Sequence, residues 1–210
     1  MTDPFVITEY FTLLKETLLE LGIHKPEQIW NMDETSVCLD PSKTKVVGGK
    51  GLPCTRTTQG SGKENVTVLT TVNAAVLMIY DGHSTHVDTK VVALASENNI
   101  TILKLPAHTS HLLQRLDLAV FKSFKTSWDK KLVQWQRQNV GVKLRKQIFS
   151  ELFAETWRQV SPFVIQSGFR KGGIYPLNPD VIPEEKYDPA ALRRWKDKVS
   201  QNKSKELKTL

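Results

Sequence analysis

Apolar positions along the chain change period twice. From Phe5 to Leu21 they recur at helical spacing (Phe5, Tyr10, Leu13, Leu14, Leu18, Leu21), and Gly22 supplies the stop. Short β-type runs follow. Ile29 to Met32 predicts a strand that delivers Asp33 at its end, and "ENVTVLTTVN" alternates like a half-covered strand. Val76 to Tyr80 is a continuous apolar run that stops abruptly at Asp81, as a strand covered on both faces does. "HVDTKVVALASENN" places Val87, Val91 and Leu94 on one helical face, and "ITILKL" reads as another strand. Strand, helix and strand in so short a span form a βαβ unit, hence part of a parallel sheet. Between Thr35 and Gly51 periodicity is poor, which predicts a loop with a short strand at Lys45 to Val47.

After "PAHTSH" the period returns to helical. Leu116, Val120, Phe124, Trp128, Leu132 and Trp135 mark one helix, and Leu144, Ile148, Leu152 and Trp157 mark a second over about 143–159. Ser161-Pro162 is an N-cap followed by a first-turn proline, opening a helix that Gly168 or Gly172 ends. Beyond Pro179 apolar density falls. The pattern therefore predicts an α/β domain over residues 1–180, with a sheet that is parallel at least in part, and a loosely attached basic tail over 181–210.

Composition changes this picture in one respect. Hydrophobic content of 40% and charged content of 24% are ordinary, but 29 Lys and Arg against 22 Asp and Glu leave a net charge of +7. A polyanionic partner is expected, nucleic acid before membrane, because no basic helix carries the apolar face that insertion needs. The longest apolar stretch, Val66 to Tyr80, is too short to span a bilayer, and the N-terminus lacks a secretory pattern. Two cysteines, Cys38 and Cys54, suggest no disulfide framework. An intracellular setting is the expectation.

Candidate chemistry lies in acids at element ends. Asp33 and Asp81 close strands, and Asp117 sits in the first turns of the long helix. Converging carboxylates repel unless cations bind between them, and an all-oxygen set suits Mg²⁺ or Mn²⁺. A turn-forming or capping role for Asp81 remains open on the residues alone. Zinc is a poor fit. His83 and His86 are only three apart and the cysteines lie elsewhere, so His86 reads instead as orienting Asp81 or the backbone, or as touching phosphate. Lys122, Lys125, Lys130 and Lys131 form a solvated face by default and phosphate contacts if nucleic acid binds. Trp128, Trp135 and Trp157 sit on apolar stripes and read as core.

Four blocks, "NMDETSV", "MIYDGHSTH", "LPAHTSHLLQRLDLAVFKSFK" and "GFRKGGIYPLNP", resemble in order the signatures of the pogo-type DDE superfamily of endonucleases, which includes Tigger- and jerky-like transposases. The resemblance covers roughly residues 5–180. It implies an RNase H-like fold, a mixed sheet flanked by helices, in which Asp33, Asp81 and Asp117 hold Mg²⁺ or Mn²⁺ for cleavage and transfer of DNA strands. It further implies DNA rather than a small molecule as substrate, and a nuclear location. In one place the chain departs from the pattern: Arg115 stands where the family has proline.

A second departure is architectural. "VTVLTTVNAAVLMIYD" joins two strands through Ala74 and Ala75, which supply no turn chemistry for a tight hairpin. Relatives insert several dozen residues here, carrying one strand and one helix of the sheet. The resemblance therefore implies an internal deletion at the Ala75–Val76 junction, and the family's N-terminal DNA-binding region is missing as well. Loss of a strand and a helix should leave an unpaired edge, favour self-association and loosen the acids. Cleavage is accordingly expected to be poor, leaving a catalytically silent DNA-binding protein as the alternative.

Overall fold

The computed structural model describes residues 2–39, 65–72, 76–81, 89–140 and 142–206. Helix α1 (Pro4–Glu20) opens on Asp3, whose side chain accepts from the Phe5 amide at 2.9 Å, with Pro4 in the first turn. It stops at Gly22, where φ is +60° and the following Ile23 amide turns back to the Leu18 carbonyl. Four strands follow: β1 (Ile29–Cys38), β2 (Asn65–Val72), β3 (Leu77–Tyr80) and β4 (Thr101–Lys104). Helix α2 (Thr89–Glu97) links the last two. The strand order is β2-β1-β3-β4, with β2 antiparallel to β1 and both β3 and β4 parallel to it. This is the expected mixed sheet. The loop and short strand expected between Thr35 and Gly51 fall largely outside the described residues, as do Val87 and the Ala74-Ala75 join.

Three expectations need correction. β1 does not end at Asp33; it runs on to Cys38, because Asp33 to Cys38 pair residue by residue with Thr70 to Asn65 of β2. Thr35 and Val37 continue the inward alternation through this polar-looking stretch. The expected apolar face of α2 is not a core face: Leu94 is 61% exposed and Val91 40% exposed.

The tail is the third. After a short turn at Pro179–Val181 the chain forms α7 (Pro189–Glu206), which lies on α1. Ile182 and Ala191 are buried, the Trp195 indole donates to the Thr8 hydroxyl at 2.9 Å, and Thr2 pairs with Tyr187 as an isolated bridge. Few large apolar residues are needed, since small Ala191 lets the helix approach closely.

Between the sheet and the helices lie two cores joined by one helix. Ile7, Phe11 and Leu14 of α1 meet Ile29, Leu77, Ile79 and Leu103 of the strands in the first. The chain then forms α3 (Ser110–Leu113), a wider π-type turn at Leu116–Val120, and α4 (Phe121–Gln138). Helices α5 (Lys146–Arg158) and α6 (Pro162–Lys171) complete the cover. Phe121 belongs to the first core, whereas Phe124, Trp128 and Leu132 pack with Val37 and Leu152 in the second. Trp128 is fully buried and its indole donates to the Cys38 carbonyl at 3.0 Å, so this tryptophan is core as its stripe suggested.

β2 and β3 lie on opposite sides of β1. Val72 stands opposite Asn31, and Leu77 is paired with Ile29 at the same end of β1. β2 and β3 are therefore not joined as a hairpin. On the β3 side the Val76 amide donates to the Gln28 carbonyl at 3.2 Å.

Candidate active site

Register places the first two acids side by side. Pairing between β1 and β3 ends at Met32 with Tyr80, so Asp33 and Asp81 are the next residue of each strand. Asp33 shares the inward face of β1 with Asn31 and Thr35, while Glu34 is exposed on the other face. One oxygen of Asp33 accepts from the Glu34 amide at 2.9 Å; the other, Oδ2, is buried without a hydrogen-bond partner.

Asp117 enters on the π-type turn, which a buried asparagine ties to the sheet. Asn31 is completely buried. Its amide nitrogen donates to the Ile79 carbonyl at 3.0 Å and to the Gln114 side chain, and its oxygen accepts from the Leu116 amide at 3.1 Å. Gln114 in turn donates to the Met32 carbonyl at 3.4 Å. One side chain thus joins β1, β3 and the residue preceding Asp117. On the other side Gly168 of α6 sits so close to the Arg115 carbonyl that an added Cβ would approach it to 2.9 Å. Only glycine lets α6 press on the turn.

The three carboxyl groups act on one another. Burial first, then Asp117 and more weakly Asp81, push Asp33 up to about 7, against a partial offset from the Glu34 amide. Asp117 is also raised, by partial burial and by Asp81, while Lys125 works in the opposite direction. Repulsion of this kind is what a bound cation relieves, and the orphaned Oδ2 is an oxygen donor of the type hard divalent ions take. Among the described residues no three acid, histidine or cysteine side chains are gathered closely enough to hold an ion as they stand. The acids are near enough to influence one another's charge, yet they do not form a ready ion site among the described residues.

Asp117 also lines an open cleft with Thr2, His108, Ser110 and His111. Lys122, Lys125 and Lys130 are exposed on α4, while Lys131 is engaged by Glu155 of α5 at 2.6 Å. His86 lies outside the described residues. Asn31 and Gln114 escaped the sequence reading as positioning groups. The signal was there: a lone amide inside the apolar run Ile29 to Met32 must find buried partners.

Residues 63–169, about half of the chain, match the DDE superfamily endonuclease family. The chain belongs to that family. The match spans Asp81 and Asp117, and Asp33 lies upstream of it. Among curated proteins this DDE chain is similar to "MFS-type transporter clz9" of Cochliobolus lunatus, 31% identical over 137 residues. That alignment covers 61% of this chain and 15% of the relative's length. Among solved structures it resembles the Mos1 transposase paired-end complex with left transposon end, at 12% identity and a TM-score of 0.40. That likeness covers 78% of the DDE chain and 61% of the Mos1 chain. No helix among the described residues is long and apolar enough to cross a membrane.

Proposed function

We propose that this transposase-derived chain binds DNA and that Asp33, Asp81 and Asp117 together hold Mg²⁺ or Mn²⁺ for phosphodiester cleavage. The observation that carries the reading is the buried, unpartnered Oδ2 of Asp33, in a carboxyl group raised to about 7 by burial and by the other two acids. An all-oxygen set of this kind fits hard divalent ions, which when bound activate an attacking water and stabilise the leaving oxygen. The protein's own share is positional. Register keeps Asp33 and Asp81 level, Asn31 holds the Asp117 turn against both strands, and Lys125 tempers the charge on Asp117. The strand order also supports an RNase H-like architecture shortened by one strand. Nuclear residence goes with a DNA partner and is checked by imaging a fluorescent fusion.

One observation favours a second reading, a DNA-binding remnant without cleavage: the acids do not close into a ready ion site among the described residues. Displacement of a reacting group by about 1 Å can cost on the order of a hundredfold in rate. The two readings separate in a supercoiled-plasmid assay with Mg²⁺ or Mn²⁺, run beside Asp81→Asn. Nicking that the substitution abolishes establishes the endonuclease; equal, negligible activity in both proteins leaves the binding remnant.

A further inference from the structure

We propose that the groove between α4 and α6 seats an unpaired DNA strand where it passes Asp117, an assignment that rests on the DNA-binding reading above. The groove encloses about 490 Å³, and Leu118 at one end also borders the cleft that holds Asp117. Its walls carry Lys122, Ser123 and Thr126 from α4 and Phe163, Ser167 and Lys171 from α6, and among the described residues no acid lines it. Leu118, Lys122 and Thr126 follow one another at four-residue spacing, a single row along the helix; Lys130 continues that row. A strip of this composition offers two cations for successive phosphates, with hydroxyl groups between them to donate to phosphate oxygens.

Phe163 decides between strand and duplex. It is 67% exposed on the groove's rim, an aromatic ring that the fold does not use for packing. A ring so placed can stack on the face of a base, and only an unpaired base presents its face. Paired bases in a duplex keep theirs inside the stack. Positive charge with no opposing acid also argues for a phosphate backbone over an apolar peptide.

The test is fluorescence anisotropy of the full chain with a labelled oligothymidine and with a duplex of the same length, across a salt series. Phe163→Ala should weaken single-strand binding about tenfold and leave duplex binding nearly unchanged. Lys122→Ala with Lys171→Ala should lower the salt slope by about 1.4, the share of two phosphates on a single strand. Thermal melts of each variant, which changes only exposed groups, separate lost binding from lost folding. Oligonucleotide binding that Phe163→Ala leaves unchanged overturns the groove assignment and spares DNA binding. Equal losses on strand and duplex overturn the unpaired-strand assignment. A wild-type chain that binds neither DNA, even at low salt, overturns the underlying reading, and capture of polyglutamate in place of DNA would make the groove a protein-docking surface.

Discussion

Asp33 carries opposite consequences for stability and for chemistry. Its folded carboxyl titrates near 7, well above the ordinary value of 3.8. Below about pH 4 both folded and unfolded chains hold this proton and nothing is lost. As pH rises from 4 toward 7 the unfolded chain releases it first, so stability falls, and the penalty is complete above 7. Asp33→Asn should therefore raise stability at pH 8 by about 2 kcal/mol, roughly half the full linkage value because solvent screens this partly exposed group, with the gain vanishing near pH 4, while removing any cleavage. Thermal melts across pH measure this directly. Millimolar Mn²⁺ should raise the wild-type melting temperature at pH 8 and have no such effect on the variant. Arg115 is a liability of another sort. Its guanidinium is fully buried with all three nitrogens unpartnered, 5.6 Å over the Phe169 ring, and burial lowers it to about 10. A base so depressed opposes folding at every pH below 10. Arg115→Met should stabilise the chain by about 1–3 kcal/mol in urea unfolding at pH 7. The backbone here, with Gln114 extended at ψ 108° and Arg115 at φ −70°, is already shaped to accept a proline at position 115.

At the scale of elements the site depends on how a turn is hung from a sheet. Asn31→Ala would remove the buried partners of the Leu116 amide and of the Gln114 side-chain oxygen. The expected cost is about 2–4 kcal/mol in denaturant unfolding. Any cleavage should fall more steeply than the remaining folded fraction, because Asp117 loses its anchor. Strand and helix identities were legible in the sequence because period is local: alternation marked β2, and four-residue recurrence marked α4 and α5. Three acids were legible as candidates for the same reason, since each stands beside a recognisable element. What was hidden is non-local. Nothing within β1 says that Asp33 lies mid-strand, because only pairing with β2 extends it. Nothing in α2 says that Leu94 stays exposed, because that depends on a cover from elsewhere. β2 itself pairs only with β1 among the described residues, and Leu69 is 57% exposed on it. Concentration-dependent association through this edge is expected in light scattering, and Leu69→Lys should shift the chain toward monomer.

Over the whole molecule the two ends of the chain are held together. Thr2 pairs with Tyr187, the Asp188 amide donates to the Thr2 carbonyl at 2.9 Å, and α7 rests on α1, whose inner face supplies much of the first core. Removing residues 181–210 should lower the melting temperature by several degrees, where a detached tail would leave it unchanged. That experiment reads cooperativity between the terminus and the core. The pairing of β1 with β3 has a different consequence. The connection from β2 enters β3 at Leu77, whereas Asp81 follows the other end of that strand, about 13 Å away. The acids are kept level by hydrogen bonds between β1 and β3, so the length of the connection does not set their spacing. Chain length before Leu77 and the placement of Asp33 beside Asp81 are decoupled, so a longer or shorter segment between β2 and β3 is expected to leave the two acids level.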